Sequence, residues 1–154
     1  LAGLLIPVAG QIKWNHVSIS DDLMTYQQDL CYVGHKTGVS QLLTVEENCH
    51  FELHRHQSLM AIQEMIQALG LDAVKDIPCG LLSVGQRRRV GLLRLWMTRA
   101  SLWLLDEPFV ALDHETLKTI MNLFDLHLKR KGIIVLTSHQ DIPVSSISIQ
   151  EYFL

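Results

Sequence analysis

The sequence has few cysteines, no long apolar segment and no excess of positive charge. Its three cysteines, Cys31, Cys49 and Cys79, are odd in number and form no CxxC pair, which excludes a disulfide framework and a zinc knuckle and favours a reducing cytosol. The formal net charge of −3 supplies no basic surface for a phosphate backbone, so we expect no nucleic-acid partner. No apolar run reaches the ~20 residues that span a bilayer.

The 154 residues also include no initiator Met and no GxxxxGK[ST] loop, the P-loop that cradles phosphate groups. The segment 34–37 resembles the end of such a loop, but His35 stands where the second glycine belongs and Leu30 where the first belongs. Because both glycines are needed for the N–H groups to face a phosphate, we predict no P-loop here. The apolar segment 1–6 before Pro7 predicts the tail of a helix, and we expect the natural chain to extend before Leu1.

Composition and length indicate one globular domain. Hydrophobic residues make up 48% of the chain and charged residues 19%, which is typical of a protein with a large buried sheet. The sequence shows no repeats, no low-complexity tracts and no second domain.

A strong helix-start signal lies at Ser83. Ser83 and Gln86 have the spacing of a capping box, and a helix is predicted over about 83–99. Gly85 allows a close approach of another group to the backbone. The arginines at 87–89 lie in the first turns, where the helix dipole disfavours cations. This arrangement favours an anion, most simply a phosphate, at the helix N-terminus.

An apolar run ending in two carboxylates follows this helix. Residues 102–105 predict a buried strand, which places Asp106 and Glu107 at an edge of the sheet. Asp113 is predicted to begin the next helix. The remaining predicted elements are helices over about 44–55, 59–69 and 114–131, short strands at 11–14 and 30–34, a central parallel strand at 133–136 and a closing edge strand at 145–152.

Two histidines share one face of the predicted helix over 44–55. His50 and His54 lie four residues apart, and His56 is close by. A metal pair is one interpretation, but no third ligand has suitable spacing, so a solvated face is favoured.

Taken in order, these segments resemble the ATP-binding-cassette (ABC) ATPases. The resemblance extends to the branch that exports haem during cytochrome c maturation, and it implies an α/β, P-loop NTPase-like core without its N-terminal strand and P-loop. It also implies a helical subdomain over about 41–99, inserted between core parts 1–40 and 100–154. The matching segments are Tyr32–His35, the signature motif Leu82–Gln86, Arg94–Trp96, the Walker B strand and its extension Leu102–Pro108, the D-loop Ala111–Asp113 and the switch histidine His139.

The resemblance assigns a role to each residue of the matching motifs. It implies that Asp106 anchors Mg²⁺, that Glu107 is the general base, and that His139 donates to the γ-phosphate. His35 takes the Q-loop position, where most relatives carry Gln, and Val84 replaces the consensus glycine of the signature motif. The residues implied to bind ATP across a dimer interface are Ser83, Val84, Gly85 and Gln86, with Asp113 in the D-loop.

The implied function is an ATP-hydrolysing transporter subunit. Its cofactors would be ATP and Mg²⁺, and its partners integral-membrane transporter subunits and a second ABC ATPase domain, most simply in a homodimer. It would lie in the cytoplasm, peripherally on the inner face of the cell membrane. We expect the 154-residue chain alone to bind ATP weakly and to hydrolyse little of it.

One alternative is a truncated, non-catalytic subunit that pairs with a complete ATPase only through its signature helix. Retention of Asp106, Glu107 and His139 favours the catalytic reading, whereas the missing P-loop favours the alternative. A DNA-repair cassette ATPase is disfavoured because the sequence has neither long heptad repeats nor a basic surface.

Overall fold

The computed structural model describes residues 1–52, 59–139, 150 and 152. Short 3₁₀ turns at Asp72–Val74 and Cys79–Leu81 precede the helix that starts after Ser83. The elements in chain order are β1 (Lys13–Trp14), β2 (Val17–Ser18), α1 (Leu23–Gln28), β3 (Leu30–Val33), α2 (Val45–Glu52), α3 (Leu59–Ala68), α4 (Val84–Leu92), α5 (Arg94–Met97), β4 (Leu102–Asp106), α6 (His114–Lys129) and β5 (Ile133–Thr137).

Three parallel strands form the main sheet, in the order β3-β4-β5. In the register of the sheet, Leu102 of β4 lies between Leu30 of β3 and Ile133 of β5. Parallel neighbours require a long crossover connection, and helices supply both: α2 to α5 connect β3 to β4, and α6 connects β4 to β5. The expected α/β class with a parallel sheet is confirmed.

The alternation of side chains along β4 divides the core into two clusters, because successive residues of a strand point to opposite faces of the sheet. Trp103 and Leu105 belong to the larger cluster, which includes residues of the helices, among them Phe124 of α6. Leu102 and Leu104 belong to the smaller cluster with residues of the N-terminal region. Both faces of β4 are therefore buried, and the packed strand ends at Asp106.

A small antiparallel hairpin precedes the sheet. Its strands β1 and β2 are joined through Asn15 and His16, which have φ of 49° and 68°, as a two-residue type I′ turn requires. The indole N–H of Trp14 donates to Asp29 Oδ2 at 2.8 Å, which ties the hairpin to the start of β3. The strand predicted over 11–14 is thus present only at its end.

The helix tail predicted at 1–6 is wrong. This segment has bends and no helix, Gly3 has a φ of 72°, and Leu4, Leu5 and Ile6 are exposed. A segment this short does not hold a helix without packing of an apolar face. Its backbone is instead fixed at Leu1, whose carbonyl accepts a hydrogen bond of 2.7 Å from the Tyr26 hydroxyl.

The single helix predicted over 83–99 is divided. The amide of Leu93 donates to the carbonyl of Val90, and the amide of Trp96 to that of Leu93, which are three-residue bonds that tighten the chain between α4 and α5. The sequence pattern gave no sign of this tightened turn between α4 and α5.

The helix predicted over 44–55 is seen as α2 within the described range.

Strand β5 does not have the fully buried environment of a central strand. Ile133 and Val135 are 48% and 41% exposed, and among the described residues β5 pairs with β4 alone. The edge strand predicted over 145–152 lies outside the described residues, except for positions 150 and 152. Within the described ranges, no helix is long and apolar enough to cross a membrane.

Candidate active site

Three parallel strands end at the same edge of the sheet, and polar groups from all three meet there. Asp106 is the last residue of β4 and lies beside Thr137, the last residue of β5. The Thr137 hydroxyl donates to Asp106 Oδ1 at 2.7 Å. The backbone N–H of His35, in the loop after β3, donates to Asp106 Oδ2 at 3.2 Å. Both carboxylate oxygens are therefore oriented by the neighbouring strands.

Glu107 turns the chain sharply at the end of β4. Its φ is 51°, a left-handed conformation that is uncommon for residues other than glycine. Its N–H donates to the carbonyl oxygen and to Oγ1 of Thr137, both at 3.2 Å, which holds this conformation. Glu107 Oε1 lies 3.4 Å from Nε2 of His139. The structure thus brings Asp106, Glu107 and His139 to one edge of the sheet.

The two ends of the Glu107–His139 contact differ in their exposure. The Glu107 side chain is 18% exposed, whereas that of His139 is 96% exposed. A partly buried carboxylate next to an exposed imidazole leaves the imidazole open to a ligand that approaches from solvent. This geometry can orient a water near the carboxylate and can donate a hydrogen bond to an anion in front of it.

The start of α4 has the predicted capping box. The Ser83 hydroxyl accepts from the N–H of Gln86 at 3.1 Å, and Gln86 Oε1 accepts from the N–H of Ser83 at 2.9 Å. Val84, between them, is 67% exposed. The two polar side chains of the signature motif therefore fix the helix start, while its first turn faces solvent.

The arginines that follow have partners within the chain, so their position does not by itself indicate a bound anion. The anion expected at the N-terminus of α4 stays a prediction. Arg87 donates to the backbone carbonyl of Leu82. Arg88 donates to three carbonyls of other segments, and Arg89 to the carbonyl of Leu69 at 3.1 Å. These hydrogen bonds to backbone carbonyls account for three guanidinium groups near a helix N-terminus.

Gly85 is needed for a contact within the chain. A Cβ at this position would lie 2.7 Å from the carbonyl oxygen of Ala111, closer than carbon and oxygen pack. Ala111 has a φ of 61°, which turns its carbonyl toward α4. The expectation that Gly85 admits a close approach is confirmed, and the approaching group is the D-loop of the same chain.

Asp113 links the same two segments a second time. Its Oδ1 accepts from the N–H of Thr116 at 2.8 Å and caps α6, and its Oδ2 lies 3.6 Å from Nη1 of Arg89. The backbone hydrogen bond from Thr116 is the main cause that lowers the pKa of Asp113, with a further contribution from Arg89. The D-loop and the signature helix are therefore joined by a tight backbone contact and by an ion pair.

A comparison with protein families identifies this arrangement. The model of the ABC transporter family matches residues 1–110. Over 154 residues the chain is 47% identical to the cytochrome c biogenesis ATP-binding export protein CcmA of Legionella pneumophila (strain Lens), covering 100% of this chain and 77% of that protein. The chain belongs to the ABC transporter family. It is also 40% identical over 150 residues to the CcmA of Haemophilus influenzae, covering 96% of this chain and 71% of that protein.

Solved structures show the same fold. An ATP-binding subunit of an ABC transporter superposes with a TM-score of 0.74 at 21% identity, covering 90% of this chain and 60% of that one. A dimeric ATP-binding cassette described as a post-hydrolysis state bound to ADP and Pi has a TM-score of 0.71 at 23% identity, with coverages of 90% and 66%. The chain thus spans less than two thirds of these structures. The P-loop NTPase-like core expected from the sequence is confirmed.

In this ABC chain, Asp106 fits the role of anchor for a hydrated Mg²⁺. Each of its carboxylate oxygens accepts one hydrogen bond from the protein and keeps lone-pair capacity for a second donor. Mg²⁺ in nucleotide sites keeps several of its waters and takes few protein ligands, so a metal-bound water is a suitable partner. When bound, Mg²⁺ would neutralise charge on the phosphate oxygens.

The histidines considered as a metal pair give no such site in the described part of the chain. His50 Nε2 lies 3.9 Å from Glu46 Oε1, one helical turn away. Among the described residues, no group of three or more His, Cys, Asp or Glu side chains is placed to hold a metal ion. His54 and His56 lie outside the described residues.

Two residues of this edge were missed by the sequence analysis. Thr137 is the last residue of a strand with the same length as β4, so aligning the two strand ends would have placed it next to Asp106. Arg88 carries no comparable signal, because its carbonyl partners lie 18, 19 and 54 residues away.

Proposed function

We propose that this chain is the ATP-hydrolysing part of an ABC transporter subunit that serves haem export in cytochrome c biogenesis. The observation that carries the proposal is the group formed by Asp106, Glu107 and His139 at the carboxyl edge of the sheet. The pathway rests on the curated relatives, which are described as cytochrome c biogenesis ATP-binding export proteins. Haem as the transported molecule rests on the resemblance of the sequence motifs to the haem-exporting branch.

In the proposed mechanism, each group at this edge has one task. Glu107 accepts a hydrogen bond from the attacking water and acts as general base. His139, exposed and within 3.4 Å of Glu107, donates to the γ-phosphate of ATP. Asp106 would hold a hydrated Mg²⁺ through one of the metal's waters. His35 occupies the Q-loop position, and its backbone N–H orients the Asp106 carboxylate.

The signature motif acts on a second nucleotide. Ser83, Val84, Gly85 and Gln86 would close over the ATP of a second ABC ATPase domain, most simply in a homodimer. The exposure of Val84 and the solvent-facing helix start support this role. A Val in place of glycine restricts the backbone without removing its N–H donor, so we expect binding across the interface to be weakened and not lost.

The same proposal covers location and partners. The helical subdomain, residues 41–99, would contact integral-membrane transporter subunits, with the core parts 1–40 and 100–154 bearing the nucleotide site. The complex would place this chain in the cytoplasm, on the inner face of the cell membrane. No nucleic-acid partner is proposed.

The second candidate is a non-catalytic subunit that lends only its signature helix to a complete ATPase. Its support is the capped, exposed start of α4. The capping hydrogen bonds of this helix start do not involve Asp106 or Glu107. The alignment of Asp106, Glu107 and His139 favours the catalytic proposal, because a subunit that lends only a helix needs none of these contacts.

Turnover of ATP by the natural gene product that carries these 154 residues tests the proposal. Glu107→Gln keeps the shape of the side chain and removes the base, and we expect ATP hydrolysis to fall at least ~100-fold. Glu115→Gln is the matched control, because Glu115 is an exposed acid in the first turn of α6. Equal turnover in both variants would refute the catalytic proposal and favour the non-catalytic one.

The 154-residue chain tested alone has a separate expected outcome. It includes no GxxxxGK[ST] loop, so we propose that it binds ATP weakly and hydrolyses little of it. Turnover by this chain alone that Glu107→Gln abolishes would contradict that part of the proposal.

A further inference from the structure

Arg88 is a buried cation whose hydrogen bonds converge on the backbone of the candidate active site. The residue is 6% exposed, and arginine is rarely buried unless its charge is compensated. Its Nη2 donates to the carbonyls of Asp106 at 2.5 Å and of Glu107 at 2.7 Å, and its Nη1 donates to the carbonyl of Gly34 at 2.8 Å. One planar group thus joins the signature helix to two loops of the sheet edge.

The three carbonyls are those that set the direction of the catalytic groups. The carbonyls of Asp106 and Glu107 belong to the peptide groups before and after the Cα of Glu107, which has a left-handed conformation. By binding both carbonyls, the guanidinium fixes the backbone that carries the Glu107 side chain. The carbonyl of Gly34 belongs to the peptide whose N–H, on His35, holds Asp106 Oδ2. Arg88 therefore orients Glu107 directly and orients Asp106 through the loop after β3.

The charge of Arg88 is stabilised by the same residues. Burial lowers the pKa of its guanidinium, and the carboxylates of Asp106 and Glu107 act in the opposite direction. Among the described residues, the Nε–H has no hydrogen-bond partner. The bonds that the guanidinium does make all go to backbone carbonyls at the sheet edge.

A second close contact fixes α4 against the same loop. A Cβ on Gly91, one turn after Arg88, would lie 2.7 Å from Cβ of Thr37. The helix therefore packs directly on the segment that follows His35. Together with the hydrogen bond from Arg88 to Gly34, this contact joins α4 to the loop after β3 at two positions.

We propose that Arg88 is a positioning residue for ATP hydrolysis, which holds the Glu107 carboxylate at its working angle and couples it to the signature helix. The inference rests on the proposed function, because it concerns the same site. It adds a residue that would act through the backbone carbonyls of the site. A group that acts through the backbone of the base should alter the chemical step and leave nucleotide binding nearly unchanged.

The test compares Arg88→Met and Arg88→Lys with Arg130→Met in the natural gene product, using ATP with Mg²⁺ as the probe. Arg130 is an exposed arginine at the end of α6. For Arg88→Met we expect kcat to fall about 10- to 100-fold, the effect of a small misplacement of a catalytic group. KM for ATP should change less than about threefold, because the substitution leaves the contacts that bind ATP in the ground state in place. Arg88→Lys keeps the charge but not the planar fork, and its kcat should lie between those of Arg88→Met and the unchanged protein.

Thermal unfolding of each variant accompanies the kinetics. A cooperatively folded Arg88→Met protein with unchanged kcat, or with kcat and KM altered together, overturns the inference. Loss of the cooperative transition in both Arg88 variants also overturns it, because Arg88 would then be a residue of general stability. If the unchanged protein does not hydrolyse ATP, the proposed function itself fails, and this result is distinguishable because it appears before any Arg88 variant is compared.

Discussion

The hydroxyl of Thr137 donates to Oδ1 of Asp106 at 2.7 Å, across the last paired position of the two strands. The same residue accepts the N–H of Glu107 through its carbonyl and its hydroxyl. One threonine at the end of β5 thus orients both acids that follow β4. The Asp106 carboxylate is held by β5 and by the loop after β3, and Glu107 is held by β5 through its backbone N–H.

Replacing Thr137 should impair hydrolysis more than folding. Thr137→Val keeps the β-branched shape and removes the hydroxyl, so Asp106 loses a charge-assisted hydrogen bond. We expect kcat for ATP to fall about 10-fold with a small change in the melting temperature. Thr119→Val is the control, because its hydroxyl donates only to the helix carbonyl of Glu115 at 3.0 Å. Equal kcat values in the two variants would show that the Thr137 hydroxyl does not orient the acid.

Gly85 should not tolerate a methyl group. In Gly85→Ala the new Cβ would lie 2.7 Å from the Ala111 carbonyl oxygen, which is backbone and cannot rotate away. We expect a loss of about 1–3 kcal/mol in the free energy of unfolding, typical of overpacking. Val84→Ala, a truncation at the exposed neighbouring position, is the control. Denaturant unfolding measures both, and a Gly85→Ala protein as stable as the control would mean that the D-loop does not press on α4.

Asp113 should stabilise the chain mainly as a helix cap. Asp113→Ala removes the acceptor for the Thr116 N–H, and we expect a loss of about 0.5–2 kcal/mol in the free energy of unfolding. Asp113→Ser keeps a capping oxygen but removes the charge that faces Arg89. Because the Asp113 side chain of this pair is 55% exposed and its distance to Arg89 is 3.6 Å, solvent weakens the interaction, and its loss should have little effect. If Asp113→Ser unfolds as readily as Asp113→Ala, the ion pair and not the cap is the main contribution.

Acid should weaken the fold through His127. Its ring stacks on that of Trp103 with centroids 3.8 Å apart. Burial is the main cause that lowers its pKa below 6.5, Arg130 acts in the same direction, and hydrogen bonds to the backbone at Ile133 and Ser101 oppose it. Below about pH 6.5 the unfolded chain therefore binds a proton more readily than the folded one, so the stability contributed by His127 is full above that pH and decreases as pH falls.

Urea unfolding at several pH values measures this effect. The unchanged protein should lose more stability between pH 7 and pH 5 than a His127→Gln variant does, in addition to any loss of stability that they share. His114→Gln, at an exposed position that begins α6, should keep the pH dependence of the unchanged protein. Identical pH dependences for the unchanged protein and His127→Gln would exclude the imidazole as the cause.

The sequence predicted correctly those features whose interacting residues are close together in the chain. The capping box of Ser83 and Gln86 was readable because its partners are three residues apart, and the end of β4 was readable because an apolar run meets Asp106. The partners of Arg88 and Arg89 were not readable, because these side chains donate to carbonyls that lie 18 to 54 residues away. Segment 1–6 was predicted as a helix from its apolar residues, although Gly3 is left-handed and most of these side chains face solvent.

The identity of the nucleotide retained after one turnover tests the account most directly. The natural gene product is mixed with radiolabelled ATP and Mg²⁺, freed of unbound nucleotide, denatured, and its bound nucleotide separated by chromatography. If Glu107 is the base at the edge formed by Asp106 and Thr137, the unchanged protein should yield ADP, while Glu107→Gln retains a similar amount of nucleotide and yields ATP. ADP recovered from Glu107→Gln as fast as from the unchanged protein would place the chemistry elsewhere and contradict the account.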